Sequence, residues 1–240
     1  MSLLELRDVV KRYRDGRSER VVLRGVSMAL EAGELGVVWG PRGAGRSTLL
    51  RVAAGLEAPE QGIVLFAGVD LAANGEEVLG DGIGYCHRSH GSGGWQLVLD
   101  QVMVSLLARG VAPDAARSSA HAALERTGAA ECAGLRLNAL RAGEAIRVAL
   151  ARVLALEPRM LVVDEPTAGV EAAERDGILS LLRSFADDGV AVLASTGEPA
   201  GLSGTARSWV LGEGELRGAP VSELAPVVPL RRAAGQRPGA

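Results

Sequence analysis

The sequence contains almost no lysine and no excess of basic charge. Lysine and arginine together number 26 of the 240 residues, and Lys11 is the only lysine among them. The formal net charge is −3. Proteins that bind nucleic acid in general are usually basic, so we expect no nucleic-acid partner. Because arginine replaces lysine nearly everywhere, one arginine at a lysine position is not by itself a sign of altered function.

Cysteine and long apolar runs are also scarce. Cys86 and Cys132 lie far apart, which predicts free thiols in a reducing compartment. His87 and His90 follow Cys86 closely, but their glycine-rich surroundings and the lack of a fourth ligand disfavour a metal site. No run of 18 apolar residues occurs, and the N-terminus lacks the pattern of a signal peptide. We therefore expect a cytoplasmic protein whose membrane role, if it has one, is exercised through a partner.

The chain is rich in apolar residues, at 48% of the total, and one glycine-rich stretch stands out among them. This stretch follows an apolar run at 35–39 and matches G-x-x-x-x-G-K-[ST] in all but one residue, with Arg46 in place of the lysine. Such a loop binds phosphate through successive backbone N–H groups at the positive end of a helix. The residues of the predicted phosphate loop are Gly40, Pro41, Arg42, Gly43, Ala44, Gly45, Arg46, Ser47 and Thr48.

The order of apolar and polar segments predicts an α/β protein with a P-loop NTPase core. Two strand-like segments before the loop predict an N-terminal antiparallel β-subdomain, with a polar turn at 10–16 between them. Consecutive helical patterns at 97–109, 113–127 and 139–156 predict a helical subdomain at about 88–157. Strands and helices then alternate again, with a helix at 171–185 and the last strand at 208–211, which predicts a mostly parallel sheet. We expect one domain over 1–225 and a disordered tail at 226–240.

A buried strand that ends in two carboxylates supplies the second half of the predicted site. The apolar run at 160–163 leads directly into Asp164 and Glu165. In phosphate-loop proteins the loop serine and a strand-end aspartate hold Mg²⁺, so Ser47 and Asp164 are the candidate metal ligands. Glu165 stands where a base could polarise water toward the terminal phosphate of a nucleotide.

With both motifs in place, the chain resembles the ATP-binding subunit of ABC transporters along nearly its whole length. Tyr13 matches the aromatic residue that stacks on adenine in that family. Residues 195–198 align with the family's S-T-H-[DE] switch, and Arg147 follows the signature motif. The signature residues are Leu140, Arg141, Ala142, Gly143 and Glu144, at the place of L-S-G-G-E. Glu144 makes the motif most similar to the branch that serves lipoprotein release and macrolide efflux.

The chain departs from the family pattern at the positions that carry the chemistry of the site. Arg46 replaces the lysine, and its guanidinium is bulkier than an ammonium. Arg88 stands at the glutamine that contacts Mg²⁺, with His87 as the alternative register. Arg141 and Ala142 replace the serine and glycine of the signature. Two further changes are Glu171 at the aspartate of the inter-subunit loop and Gly197 at the switch histidine.

The resemblance implies a subunit that binds ATP and Mg²⁺, closes head to tail on a second cassette and drives a membrane permease from the inner face of the membrane. The changes at Arg46, Arg88, Arg141, Ala142 and Gly197 predict weak hydrolysis. The alternative is a regulatory or scaffolding subunit that binds nucleotide without turnover. The second cassette is either an identical chain or a different one, and the sequence does not identify the transported substrate.

Overall fold

The computed structural model describes residues 2–16, 18–73, 82–87, 94–198 and 207–219. The strands are β1 (Leu4–Asp15), β2 (Ser18–Leu30), β3 (Leu35–Trp39), β4 (Gln61–Phe66), β5 (Val69–Asp70), β6 (Ile83–Cys86), β7 (Met160–Val163), β8 (Ala191–Thr196), β9 (Arg207–Gly212) and β10 (Glu215–Ala219). The α-helices are α1 (Arg46–Ala53), α2 (Val98–Ala108), α3 (Pro113–Arg126), α4 (Ala142–Leu154) and α5 (Ala172–Asp187).

The strands form two sheets. One is antiparallel, with the order β2-β1-β4-β5 among the described residues. The other has the order β10-β9-β3-β8-β7-β6 and is parallel except for the β9–β10 hairpin. Parallel neighbours require long crossover connections, and here the intervening helices supply them. The predicted fold class, a mostly parallel sheet with an N-terminal antiparallel β-subdomain, is confirmed.

The polar turn predicted at 10–16 is wrong, because β1 runs on through Asp15 and pairs with β2. Tyr13 lies opposite Arg20 in this ladder. The segment is polar because its side chains are exposed, so it lacks the alternation of apolar residues that identifies a half-buried strand. An ion pair between Arg12 and Glu19, 3.0 Å apart, crosses the two strands near the hairpin end.

Strand β10 was missed by sequence reasoning, which placed the last strand at 208–211. The turn at Glu213 and Gly214, both with positive φ, reverses the chain so that Leu216 pairs with Leu211. Three of the five residues of this short strand are charged or glycine, so its apolar signal is weak. The predicted tail at 226–240 lies outside the described residues, as do Arg88 and His90.

Helices α2, α3 and α4 pack on one another around a core of their own, which includes Val102, Leu124 and Val148. Helix α3 begins with Pro113 and ends before Gly128, whose φ is 68°. Helix α4 begins later than the predicted residue 139, because Leu140 is extended and 137–139 form a separate 3₁₀ turn. The limits of the predicted subdomain, 88–157, stay a prediction.

The main sheet is covered on both faces, so β7 and β8 are buried along their whole length. One face packs on α1 and the antiparallel sheet, and the other packs on α4 and α5. Side chains at the strand ends can then meet only at the edge where the parallel strands stop. In the ranges that the structure describes, no helix combines the length and the apolar composition that a membrane span needs.

Candidate nucleotide-binding site

The predicted phosphate loop connects β3 to α1 and depends on glycine at specific positions. Gly43 and Gly45 have φ of 84° and 104°, in the left-handed region that favours glycine. A Cβ on Gly45 would lie 2.8 Å from the Val22 side chain. A Cβ on Gly40 would lie 2.4 Å from the carbonyl oxygen of Leu211. Gly40 and Gly45 therefore have no room for a side chain, whereas Gly43 has room and is favoured by its positive φ alone. Helix α1 begins at Arg46, inside the predicted loop.

A cleft of about 750 Å³ opens at this loop, a size within the range of about 300–1,000 Å³ typical of small-molecule sites. The central cleft, as we call it, joins the loop to the carboxylates after β7 and to the N-terminal hairpin. Its lining consists of Tyr13, Ser18, Arg20, Val22, Pro41, Arg42, Gly43, Gly45, Arg46, Ser47, Thr48, His87, Asp164 and Glu165. The fold therefore brings together most of the predicted loop, the predicted adenine-stacking tyrosine and both predicted carboxylates.

A buried serine holds the two carboxylate residues in place. Ser195, which is fully buried on β8, donates a hydrogen bond of 2.6 Å to Asp164 Oδ1. The same hydroxyl accepts a bond of 2.9 Å from the backbone N–H of Glu165. Glu165 has a φ of 50°, an unfavourable conformation for a residue that carries a side chain. Sequence reasoning named Ser195 only as part of the switch, although a hydroxyl ending an apolar strand was the available signal.

The guanidinium of Arg46 folds back into the loop and reaches Glu165. Nη1 donates to the carbonyl oxygens of Gly40 and Pro41, the latter at 2.9 Å, and Nη2 forms an ion pair with Glu165 Oε1. Arg46 is only 7% exposed, and its buried Nε has no hydrogen-bond partner among the described residues. A buried guanidinium needs compensating partners, and these contacts provide most of them.

Tyr13 stands at the mouth of the central cleft and is fixed through its hydroxyl. The hydroxyl bonds to Glu57 Oε2 and lies 3.4 Å from Thr48 Oγ1. Glu57 in turn pairs with Arg51 of α1 at 2.6 Å. Tyr13 as a whole stays 37% exposed, and the Lys11 ammonium lies over its ring, 5.5 Å from the centroid. Sequence reasoning identified Tyr13 and missed the Glu57 and Arg51 pair beneath it.

Hard oxygen ligands for a metal are present in the central cleft. Asp164 is 4% exposed, and Ser195 donates to Oδ1, one of its two carboxylate oxygens. Ser47 supplies a hydroxyl from the first turn of α1. Mg²⁺ prefers oxygen ligands and keeps several waters, so this small donor set suits it. In the described ranges, no group of three or more His, Cys, Asp or Glu side chains is placed so that it could hold a metal ion.

The signature residues are placed away from the central cleft, at the start of α4. Glu144 accepts a hydrogen bond of 2.8 Å from the backbone N–H of Arg141, which caps the helix. The Arg141 side chain is exposed, Leu140 and Ala142 are half-buried, and Gly143 is buried. A Cβ on Gly143 would lie 2.5 Å from a carboxylate oxygen of α5. All five signature residues are described, and none of them lines the cleft.

The switch segment follows β8 directly. Glu198 forms an ion pair of 2.5 Å with Arg175 of α5, and its backbone bonds to the Thr196 hydroxyl. Gly197 lies next to the Arg46 guanidinium. Glu171, at the predicted inter-subunit loop, is exposed and occupies the N-cap position of α5 without a side-chain capping hydrogen bond.

Arg88 lies outside the described residues, whereas its alternative, His87, lines the cleft with its ring stacked on Tyr85 at 6.3 Å. Arg147 donates a bond of 2.8 Å to the Thr127 carbonyl oxygen and so ties α4 to α3.

Two buried groups on β6 are held in their neutral forms. Burial, reinforced by the Asp164 charge, raises the pKa of the Tyr85 hydroxyl to about 12. Burial also raises the pKa of the Cys86 thiol to about 12. Both cysteines are free and buried. Neither group is charged at neutral pH, so the negative charge of this edge comes from Asp164 and Glu165.

Known proteins match the chain in sequence and in structure. A model of the ABC transporter family matches residues 23–168. The lipoprotein-releasing system ATP-binding protein LolD of Paramagnetospirillum magneticum is 34% identical over 201 residues, covering 82% of this chain and 89% of that protein. Two solved structures of a bacterial ABC transporter cassette, one a dimer and one a dimer bound to ADP and phosphate, are both 24% identical to this chain. They give TM-scores of 0.83 and 0.81 over 91% of this chain and 98% of theirs, which shows the shared fold. This chain therefore belongs to the ABC transporter family, as one of its ATP-binding subunits.

Proposed function

We propose that this subunit binds Mg-ATP in the central cleft, closes head to tail on a second cassette and couples to a membrane permease, with slow hydrolysis. The observation that carries the proposal is the meeting of the loop, Tyr13, Ser47, Asp164 and Glu165 in one cleft. These residues lie up to 152 positions apart, from Tyr13 to Glu165, and each has the chemistry that one part of a nucleotide requires. The alternative, a regulatory or scaffolding subunit that binds nucleotide without turnover, would use the same cleft, and no separate observation favours it.

The proposed roles follow from the chemistry of each group. The Tyr13 ring stacks on the base, and the backbone N–H groups of the loop bind the phosphates at the start of α1. Ser47 and Asp164 would hold Mg²⁺, which would neutralise phosphate charge when bound. Glu165, at the γ-phosphate end of the cleft, would orient the attacking water.

The proposed dimer explains why the signature residues lie away from the central cleft. In a head-to-tail pair, the exposed start of α4 in one subunit covers the phosphate end of the cleft in the other. Arg141 and Ala142 then meet the partner's γ-phosphate, where the family has a serine hydroxyl and a glycine. The domain boundaries predicted above, 1–225 with a helical part at 88–157, would place this contact surface on the helical part.

The proposed permease is of the lipoprotein-release type, since curated relatives at 34% identity carry that name. Coupling to it would hold the subunit on the cytoplasmic face of the membrane. The transported cargo is a property of that permease, so the cassette does not specify it.

Slow hydrolysis is proposed from contacts within the site. Arg46 pairs with Glu165, the proposed base, and Gly197 offers no side chain to the γ-phosphate. Loss of one preorganised group that stabilises a transition state costs about 10²–10³ in rate. Losses at several positions of one site are not additive, but together they leave little turnover.

A thermal-shift measurement tests nucleotide binding. Mg-ATP at a concentration of about 100 Kd should stabilise the fold by about 2.7 kcal/mol, which corresponds to about 5–10 °C in Tm for a chain of this size. ATP with EDTA should give a smaller shift, because Ser47 and Asp164 then lack their metal. An unchanged Tm with saturating Mg-ATP would refute retention of the site.

Steady-state ATPase assays test the cause of slow turnover. Arg46→Lys alone should recover little activity, whereas Arg46→Lys with Gly197→His, Arg141→Ser and Ala142→Gly should recover far more. Robust activity of the unmodified chain alone would refute slow hydrolysis. With an intact heterologous cassette, we expect activity that depends on that cassette's own loop lysine and changes little on Glu165→Gln here. The reverse ranking would show that the working loop is the one in this chain.

A further inference from the structure

Lys11 is the only lysine among 26 basic residues, and its side chain is only 12% exposed. The ammonium donates to the Ala58 carbonyl oxygen at 2.8 Å and to Glu60 Oε1 at 3.1 Å. It also lies over the Tyr13 ring, 5.5 Å from the centroid. A compact ammonium can direct its three donors to groups in different directions, which the planar fork of a guanidinium cannot. A chain that uses arginine at every other basic position therefore has a lysine where one cation contacts three groups.

The segment at 57–60, which follows α1, is fixed to β1 at several points. The Glu60 backbone N–H donates to the Val10 carbonyl oxygen at 2.9 Å. Glu60 Oε2 accepts a bond of 2.7 Å from the Arg12 backbone N–H. Lys11 adds its two hydrogen bonds to the same segment. This part of β1 and the 57–60 segment are therefore held together by backbone and side-chain contacts.

The same segment connects Tyr13 to the helix that begins in the phosphate loop. Glu57 accepts the hydrogen bond of the Tyr13 hydroxyl and pairs with Arg51 of α1 at 2.6 Å. The Tyr13 side chain is thus held at its hydroxyl by Glu57 and at its ring by Lys11. A nucleotide joins its base to its phosphates by a chain of limited length, so the place of the ring relative to the loop affects how well both ends bind.

We propose that Lys11 is a positioning residue for nucleotide binding, which acts through Tyr13. Its ammonium occupies one side of the ring and fixes the ring relative to the phosphate loop, and the base stacks on the other side. Lys11 does not line the central cleft, so it acts on the ring and not on the phosphates. The role in nucleotide binding rests on the proposed function, whereas the contact between Lys11 and the ring does not.

Calorimetric titrations with a non-hydrolysable Mg-ATP analogue and with Mg-tripolyphosphate separate the base from the phosphates. Lys11→Met should weaken binding of the analogue about three- to tenfold and change the affinity for tripolyphosphate less than about twofold. Lys11→Arg keeps the charge but not the donor geometry, so it should recover less than about half of the loss. Arg14→Met is the matched control, because this 83% exposed side chain on the same strand pairs only loosely with Glu19, at 3.7 Å. It should change neither affinity more than about twofold.

A double mutant tests whether Lys11 acts through the ring. In the Tyr13→Ala background, Lys11→Met should weaken binding of the analogue less than about twofold further. Equal losses for the analogue and for tripolyphosphate would show that Lys11 acts as a general positive charge and would overturn the positioning role. An undiminished effect in the Tyr13→Ala background, full affinity of Lys11→Arg, or no effect of Lys11→Met would also overturn it.

The contact with the ring is tested without nucleotide, by ¹⁹F NMR of the chain labelled with 3-fluorotyrosine. Tyr13 and Tyr85 are the two tyrosines of the chain, so Tyr13→Phe assigns both resonances. Lys11→Met should shift the Tyr13 resonance and leave that of Tyr85 in place, and Arg14→Met should shift neither. An unshifted Tyr13 resonance would overturn the contact. Failure of the wild-type chain to bind the analogue would instead refute the proposed function, and the NMR comparison would still decide whether Lys11 fixes the ring.

Discussion

The hydroxyl of Ser195 is predicted to be a major contributor to the stability of the site. Ser195→Ala removes a 2.6 Å hydrogen bond to the Asp164 carboxylate and a 2.9 Å bond from the Glu165 backbone N–H. A hydrogen bond to a charged group contributes about 1.5–3 kcal/mol and a neutral one about 0.5–1.5 kcal/mol. Together they predict a loss of about 3 kcal/mol in the free energy of unfolding, because both orphaned groups stay in the interior.

Thermal unfolding followed by circular dichroism measures this loss. For a chain of this size, about 3 kcal/mol corresponds to a fall in Tm of about 6–12 °C. Ser118→Ala is the control, since that exposed hydroxyl donates only to the Asp114 carbonyl oxygen one helical turn earlier. It should change the Tm by less than about 2 °C. A Tm for Ser195→Ala that matched the control would refute the argument that this serine holds the two carboxylate residues in place.

Further predictions concern the loop, the tyrosine and the thiols. Gly45→Ala should lower the Tm more than Gly43→Ala: both have positive φ, but only Gly45 lacks room for a Cβ, and comparison of the two melting curves checks this. Glu57→Gln should weaken Mg-ATP binding several-fold in titrations, because it removes the carboxylate that holds the Tyr13 hydroxyl. The double mutant with Tyr13→Ala should bind Mg-ATP about as weakly as the weaker of the two single mutants. At pH 8 a thiol reagent should leave Cys86 unmodified until the chain is unfolded. The pKa of the Cys86 thiol is about 12 in the folded chain, which exceeds its value in the unfolded chain. The contribution of this thiol to the free energy of unfolding is therefore complete below pH about 9 and is lost as the pH rises toward 12. Denaturant titrations at several pH values would detect this loss.

Local features of the site followed from the sequence because local physical chemistry determines them. Spaced glycines before Ser47 require a curled backbone, and an apolar run before Asp164 requires a buried strand. Apolar periodicity predicted the helices to within a few residues of their observed ends. It failed at Tyr13, because an exposed hairpin extension carries polar side chains on both faces and has no apolar alternation to detect.

Contacts between distant residues were decided only by the tertiary structure. Ser195 lies 31 residues from Asp164, and Arg46 lies 119 residues from Glu165, so no local pattern records either contact. The parallel order of β3, β8 and β7 brings their C-terminal ends to one edge, and burial there makes each polar group need a partner. The sequence shows that Gly197 lacks a side chain. The tertiary structure adds that the Arg46 guanidinium is its neighbour, at an ordinary contact distance of 3.4 Å from the place of a Cβ.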